Sequence, residues 1–271
     1  MKAIRNMKEL VCSLYGGRRL MVNLTLQDFK RRFAGTTLGI LWGFVNPLFT
    51  MMVYWVVFQY AFGGEPVNGV PFVLWFMCGM IPWLFFSEAF SSACNSFLEY
   101  SYLVKKVVFN INILPLVKIF SCMLTHAFFI ALLAVICICF GIYPSVYWLQ
   151  FPYYLLCVTC LLFAVTLALS SIIVFFRDFT QMISVILLVG MWGTPIAWRV
   201  EQFAAYPAVQ LILKLNPMYY IVEGYRDCFL QQTWFWEKGG LTLYFWGITL
   251  ALLLLSTTVY NKLKSSFADF L

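Results

Sequence analysis

The chain has 271 residues, of which 63% are hydrophobic and 11% are charged, and its formal net charge is +7. Soluble globular domains carry about 25% charged residues, so this composition excludes a soluble domain and indicates an all-α integral membrane protein. A basic charge is also typical of nucleic-acid-binding proteins, but the basic residues lie between apolar segments, which favours a role in membrane topology and no nucleic-acid partner.

The first organised segment is a predicted amphipathic helix within residues 1–37. Val22, Leu26, Phe29 and Phe33 recur at steps of four, three and four residues, which places them on one helical face. The other faces carry polar and basic side chains, namely Asn23, Gln27, Lys30 and Arg31. Such a helix suits the plane of a membrane surface, so we predict an N-terminal interface helix that contacts membrane lipids.

Six apolar segments follow within residues 38–260, and each approaches or exceeds the roughly 20 residues that cross a bilayer. The predicted transmembrane helices are 38–62, 70–87, 119–140, 151–176, 179–198 and 241–260. Two shorter apolar stretches, near 204–215 and 218–229, precede the last of them and suit short re-entrant helices. Residues 261–271 form a predicted tail.

The distribution of basic residues predicts the orientation. Six crossings place both termini on one side, and that side carries fourteen of the eighteen lysines and arginines. By the positive-inside rule, both termini are cytoplasmic and the segment with the two short helices is external. We therefore expect a multi-pass protein of the inner, or plasma, membrane.

Several kinds of chemistry lack the residues they need. The sequence contains no G-x-x-x-x-G-K-[ST] motif for nucleotide phosphates, and no charged residue falls inside the predicted spans. The lone histidine, His126, is better explained as a hydrogen-bonding packing residue than as a proton carrier. Cys157 and Cys160 have C-x-x-C spacing without a second pair, so we interpret them as small buried side chains.

Aromatic residues are unusually frequent, with 28 Phe, 15 Tyr and 10 Trp. Many are explained as anchors at the membrane surfaces. Tyr54, Trp55 and Trp192 lie deeper in the predicted spans, where they either pack or stack on the C–H faces of sugar rings.

Lys30, Arg31 and Arg32 form a basic cluster on the predicted interface helix. Attraction to anionic lipid headgroups explains it at about 1 kcal/mol per residue near the surface. The alternative is that guanidinium groups bind a phosphate or pyrophosphate that links a lipid to a larger head.

Four segments together resemble the membrane subunit of polysaccharide ABC exporters, the permeases of O-antigen and teichoic-acid export. They are DFKRRFAGTTLGILWGFVNPLFTMMVYWVVF (28–58), IPWLFFSEAFSSACNSFLEYSYLVKKVVF (81–109), FFRDF (175–179) and LNPMYYIVEGYRD (215–227). They occur in the family's order and cover most of the chain.

The resemblance implies a homodimer of six-span subunits, with two copies of a separate cytoplasmic ATPase that binds ATP and Mg²⁺. This chain would then be a transport subunit with no cofactor and no catalytic residue. Its substrate would be a lipid-linked polysaccharide moved outward across the membrane, and the phosphate head would enter near Lys30, Arg31 and Arg32.

The resemblance also implies two further sets of residues. An aromatic path for the glycan would include Trp42, Tyr54, Trp55, Phe58, Trp83, Trp192 and Trp198. Contacts that couple the permease to the ATPase would involve Glu99, Tyr102, Lys105, Lys106, Arg177 and Asp178.

Two alternatives remain open at this point. An export permease of the same architecture would carry a smaller amphiphile, such as a drug or a lipo-oligosaccharide. An intramembrane enzyme that modifies lipid-linked sugars would need an acid and a base near one membrane surface, and Glu223 with Asp227, one helical turn apart, are the candidates.

Overall fold

The computed structural model describes most of the chain, namely residues 14–32, 34, 39–61, 63–105 and 111–270. Within these ranges the chain forms helices and turns, with one isolated β-bridge between Val67 and Val70, so the predicted all-α class is confirmed. In order, the helices are α1 (Arg18–Arg32), α2 (Trp42–Val56), α3 (Phe72–Cys94), α4 (Ser96–Glu99), α5 (Ser101–Lys105), α6 (Leu114–Cys139), α7 (Phe151–Ile173), α8 (Phe179–Trp192), α9 (Pro207–Lys214), α10 (Pro217–Arg226), α11 (Gly239–Leu263) and α12 (Phe267–Phe270).

Five helical segments are long and apolar enough to cross a membrane. With their flanking turns they are Gly39–Ala61, Phe72–Cys94, Ile111–Cys139, Val146–Ile173 and Gly239–Ser266. The remaining predicted span, 179–198, contains α8, which is apolar but has only 14 residues. At 1.5 Å per residue α8 is about 21 Å long, whereas the hydrocarbon core is about 30 Å thick.

Two of the helices extend beyond the spans predicted within them. The second helix continues to Cys94 instead of ending at 87, and the third begins at Ile111 instead of 119. The prediction stopped at the nearest charges, Glu88 and Lys118, because an isolated charge is costly in a bilayer. In the structure these charges form ion pairs with residues of α1, and the helices continue past them.

The core of the bundle lies around two of the five long helices. In the apolar part of each helix, 72% of α3 and 67% of the Val146–Ile173 helix is buried, compared with 11% of Gly39–Ala61. The helix α10 packs against both α3 and α7. The Gly39–Ala61 helix therefore leaves a large apolar face exposed at the surface of the bundle.

Alternating helix directions give the bundle two ends. The terminal end, as we name it, carries residues 14–32, 95–105, 174–178 and 264–270. The opposite or far end carries the connections 63–71, 140–150 and 193–238. A hydrogen bond from Thr180 Oγ1 to Asn95 Oδ1, 3.1 Å long, joins two segments at the terminal end.

Two short helices occupy the far end, close to the predicted 204–215 and 218–229 stretches. None of the α9 residues is buried, whereas α10 is buried along almost its whole length. Asn216 sets the position of α10, because its Oδ1 accepts a hydrogen bond from Met218 N at 3.0 Å and its Nδ2 donates to Thr194 Oγ1 at 2.9 Å. Of the two helices predicted to be re-entrant, α10 is therefore inserted into the bundle and α9 is not.

Candidate functional site

The three basic residues at the end of α1 do not form one surface. Lys30 and Arg31 are exposed, whereas Arg32 is half-buried and turned towards α3. Arg32 Nη1 lies 2.7 Å from Glu88 Oε1, and Arg32 Nη2 donates a hydrogen bond of 2.8 Å to Ser92 Oγ. Burial lowers the pKa of Arg32, but the neighbouring Cys122 and Glu88 outweigh burial and raise it, so Arg32 stays charged.

A second network joins α1 to the segment between the second and third long helices. Lys118 Nζ lies 2.7 Å from Asp28 Oδ1 and 2.5 Å from Glu99 Oε2. Tyr100 Oη donates to the same Asp28 oxygen at 2.7 Å. Burial, followed by the bond to Asp28, raises the pKa of Tyr100, so the phenol remains a donor at neutral pH.

These two networks border one cavity of about 310 Å³ at the terminal end. Its lining consists of Asp28, Arg31, Arg32, Ser92, Glu99, Tyr100 and Lys118. Three cations face two carboxylates, so the lining has a net positive charge. Guanidinium and ammonium groups around a small cavity can bind a phosphate group. Arg31 and Arg32 of the predicted headgroup cluster line this cavity, and Lys30 does not.

The predicted coupling residues that the structure describes lie at the same end. Glu99, Tyr102, Arg177 and Asp178 are all exposed. The backbone of Lys105 ends α5, but its side chain and all of Lys106 lie outside the described part of the chain. The bond between Asn95 and Thr180 connects the 95–105 segment to the turn that contains Arg177 and Asp178.

The aromatic residues of the predicted glycan path differ in exposure. Trp42 and Trp192 are exposed, and Tyr54, Trp55, Phe58 and Trp198 are half-buried. Trp83 differs, because it is 4% exposed and its ring lies against Gly190 of α8. A Cβ at Gly190 would lie 3.0 Å from the Trp83 ring, so α8 approaches α3 closely at this point.

Sequence reasoning missed a buried cation at the far end. Arg226, in the segment predicted to be external, is 1% exposed, and its guanidinium lies 3.5 Å from the centre of the Trp75 ring. Its Nη1 lies 2.6 Å from Glu223 Oε1, and its Nη2 donates to Ile196 O at 2.9 Å. The spacing of Glu223 and Arg226, three residues apart on a helix, was the available signal.

Asp227 is fully buried, and its two carboxylate oxygens lie 2.8 and 2.6 Å from Lys238 Nζ. Glu223 and Asp227 are therefore bound to different cations, Arg226 and Lys238. An acid and a base that act on one substrate must both reach it. The arrangement disfavours the interpretation of these two carboxyl groups as a catalytic pair.

His126 has a packing environment. Its Nε2 lies 2.9 Å from Tyr225 Oη, and its ring stacks on Phe85 with centroids 4.5 Å apart. His126 thus makes both a hydrogen bond and a ring contact, as expected for a packing residue. Cys157 is buried and Cys160 is half-buried, and both have free thiols.

Comparison with known proteins identifies relatives along nearly the whole chain. A Klebsiella pneumoniae protein named O-antigen export system permease protein RfbA is 28% identical over 253 residues, which is 93% of this chain and 95% of the relative. A Myxococcus xanthus protein of the same name is 26% identical over 263 residues, covering 97% of this chain and 99% of the relative.

The family model described as ABC-2 type transporter matches residues 19–230. That match begins in α1, includes the terminal-end cavity and ends just after α10. It covers well over half of the chain, and the matched helices include four of the five long apolar segments. The chain therefore belongs to the ABC-2 type transporter family, as a multi-pass membrane protein.

Proposed function

We propose that the chain is the permease subunit of an ABC exporter that moves a lipid-linked polysaccharide outward across the cytoplasmic membrane. The observation that carries the proposal is the alignment with O-antigen export permeases over 93–97% of the chain. Because the alignment includes both ends of the bundle, it favours a common function of the whole subunit over similarity limited to one segment. No relative reported above favours the alternative, an export permease for a smaller amphiphile.

Six crossings are part of this proposal. Thr180, at the start of α8, bonds to Asn95 at the terminal end, and Thr194, just after α8, bonds to Asn216 at the far end. The segment thus connects the two ends although α8 has only 14 residues. With the terminal end assigned to the cytoplasm by its basic residues, the far end is external.

The proposed entry site for the lipid-linked head is the terminal-end cavity. Arg31 and Arg32 line it, and the exposed Lys30 lies beside them in sequence. Val22 and Leu26 are 57% and 49% exposed, which suits the contact of α1 with lipid. A headgroup phosphate would find cations here while its lipid tail stays in the bilayer.

A homodimer would complete the path. The peripheral helices α2 and α8 leave apolar side chains exposed, among them Val53, Val185 and Val189 at 57%, 60% and 65%. A second copy across these faces would bring the exposed Trp42 and Trp192 to a shared interface with the half-buried Tyr54 and Trp55. Aromatic faces and indole N–H groups suit the passage of a sugar chain.

ATP and Mg²⁺ belong, in this proposal, to two copies of a separate ATPase docked at the terminal end. Glu99 joins that docking surface to the entry cavity, because its half-exposed carboxylate shares Lys118 with Asp28 of α1. A shift of the 95–105 segment would therefore change the contacts of the proposed headgroup helix. This chain would form and break no covalent bond.

The proposal is tested with the permease and its partner ATPase reconstituted together in nanodiscs. Lipid-linked glycan is expected to stimulate ATP hydrolysis, whereas the lipid without its glycan is expected to stimulate less. Arg31→Ala should raise the glycan concentration needed for half-maximal stimulation. Arg19→Ala is the matched control, because Arg19 is exposed on the same helix and does not line the cavity. Absence of stimulation would overturn the proposal.

A further inference from the structure

The far end carries a groove that no described contact fills. Two cavities of about 330 and 250 Å³ adjoin there, and Val67, Trp75 and Arg199 line both. Together they form what we call the far-end groove. Its volume falls within the range of pockets that bind small molecules, about 300 to 1,000 Å³.

The walls of the groove are held in place by buried contacts. One wall is the turn 63–70, closed by the reciprocal 2.9 Å hydrogen bonds between Val67 and Val70. The opposite wall is α10, which Arg226 attaches to Trp75 and to Ile196 O. Because Arg226 is 1% exposed and paired, the groove is preformed and does not depend on a mobile side chain for its shape.

The polar groups along the groove have spare hydrogen-bonding capacity. Tyr219 is 8% exposed and lines the groove, and its hydroxyl has no hydrogen-bond partner in the described part of the chain. Glu223 binds Arg226 through Oε1 alone, which leaves Oε2 as an acceptor. Trp198 packs edge-on against Phe203, with centroids 5.4 Å apart, and remains half-buried. A hydroxyl that lines the groove without a protein partner can donate a hydrogen bond to, and accept one from, a ligand or a water molecule.

The charges of the groove restrict its ligand. Arg199 and Arg226 face three carboxylates, those of Glu65, Glu201 and Glu223. The lining is nearly neutral with one excess negative charge, so it disfavours phosphates and uronic acids. A purely apolar ligand would leave these groups unpaired. Neutral sugars fit, since their hydroxyls donate and accept while their C–H faces stack on indole rings.

We infer that the far-end groove is a binding site for neutral sugar residues, formed within a single subunit. The inference rests on the proposed function for its biological meaning, because the far end would then contact the glycan as it leaves the membrane. Trp198 provides the stacking surface, and Tyr219 and Glu223 bind the hydroxyls. The site would bind the emerging glycan and so oppose its movement back through the membrane.

The test measures binding of hexasaccharides to the intact permease–ATPase complex in nanodiscs without ATP. The probe is the lipid-free surface polysaccharide of the source cell, cut to neutral hexasaccharides, and a galacturonate hexamer is the anionic comparison. Saturable binding of the neutral probe is expected. The anionic hexamer should bind at least tenfold more weakly, and equal binding of the two would overturn the assigned ligand class.

Variants locate the site. Trp198→Ala and Tyr219→Phe should each weaken binding, Trp198→Ala by roughly tenfold, because a stacking surface is lost. Trp236→Ala is the matched control, since Trp236 is an exposed far-end aromatic outside the groove that stacks on Trp234. Tyr219→Phe removes one oxygen and keeps the packing, so it separates lost binding from lost folding. Unchanged affinity in both groove variants would overturn the inference.

The outcome is distinguishable from failure of the proposed function. If the complex transports lipid-linked glycan but binds no neutral hexasaccharide, the groove inference fails and the exporter proposal stands. If hexasaccharide binds in a Trp198-dependent way but no transport occurs, the groove inference stands and the exporter proposal fails.

Discussion

The terminal end and the far end both carry buried ion pairs, but the pairs join different kinds of elements. At the terminal end, Lys118 of α6 connects Asp28 of α1 to Glu99 of α4, whose side chain is 50% exposed. At the far end, Arg226 and Asp227 are at most 1% exposed, and each is paired within residues 223–238. The first network includes a half-exposed carboxylate, whereas the second pairs residues that are close in sequence and attaches them to Trp75 and Ile196 inside the bundle.

This difference indicates at which end an ion pair can be broken at a small cost in free energy. A half-exposed carboxylate such as Glu99 can exchange its lysine partner for water at small cost. A fully buried cation such as Arg226 that loses its partner is left unpaired in a low-dielectric environment, at a cost of about 3–5 kcal/mol. We therefore expect the far end to be the more rigid of the two, and under the proposed function an ATPase-driven rearrangement would begin at the terminal end.

Removal of Arg226 should have the largest effect. In Arg226→Ala, Glu223 and the Ile196 carbonyl lose their partner and the Trp75 ring loses its cation, so we expect a loss of about 3–5 kcal/mol. Thermal unfolding of the purified protein measures it. Lys214→Ala on the exposed α9 is the control and should stay within about 0.5 kcal/mol. An unchanged melting temperature for Arg226→Ala would contradict the greater rigidity of the far end.

Loss of Lys118 should have a smaller effect. Lys118→Met leaves Asp28 buried without its cation, and we expect a loss of about 2–3 kcal/mol, because Glu99 can turn to solvent. The double variant Lys118→Met with Asp28→Asn should recover at least half of that loss, since the unpaired charge is gone. A double-variant cycle on unfolding free energies measures the coupling. Strict additivity of the two changes would show that the pair does not interact.

The close approach of α10 to α7 is tested at Gly224. A Cβ there would lie 2.0 Å from Cε1 of Tyr154, so Gly224→Ala should destabilise the protein by about 1–3 kcal/mol through overpacking. Gly239→Ala, where nothing lies within 4 Å of the added carbon, is the matched control and should be neutral. Equal unfolding temperatures for the two variants would show that α10 is not packed this closely.

The smallest effect on stability is expected at the predicted docking surface. Charge reversal of Lys105 and Lys106 to Glu should leave unfolding within about 0.5 kcal/mol of wild type and reduce co-purification of the partner ATPase. Lys262→Glu, an exposed lysine near the end of α11, controls for net charge. Normal co-purification and turnover of the reversed variant would remove these lysines from the interface.

The sequence predicted well the features that depend on periodicity and composition, namely the positions of the apolar helices. Apolar run length identified the five long helices, and two short runs near 204–215 and 218–229 identified α9 and α10 within a few residues. The helices differ from the predicted segments where a partner distant in sequence neutralises a charge. Glu88 and Lys118 ended the predicted spans because a single sequence shows a charge but not its counterion, and their partners Arg32 and Asp28 lie on another helix.

The same limit explains the candidate sites. Arg226 looks like any loop arginine in sequence, and its environment is created by Trp75, about 150 residues earlier in the chain. Trp83 was predicted to belong to the glycan path, although in the structure it is buried against Gly190 of another helix. The basic run at the end of α1 was found from sequence. Which of its members line a cavity depends on helical phase and on the position of α3.

The most direct test of the account is vectorial transport. Permease and partner ATPase are reconstituted into sealed proteoliposomes, lipid-linked glycan is placed in the leaflet that faces the ATPase, and its appearance in the opposite leaflet is followed with a membrane-impermeant glycosidase. The account predicts ATP-dependent movement that is slowed by Arg31→Ala and unaffected by Arg19→Ala. Glycan that stays in its original leaflet with ATP present, although the complex hydrolyses ATP, would contradict it.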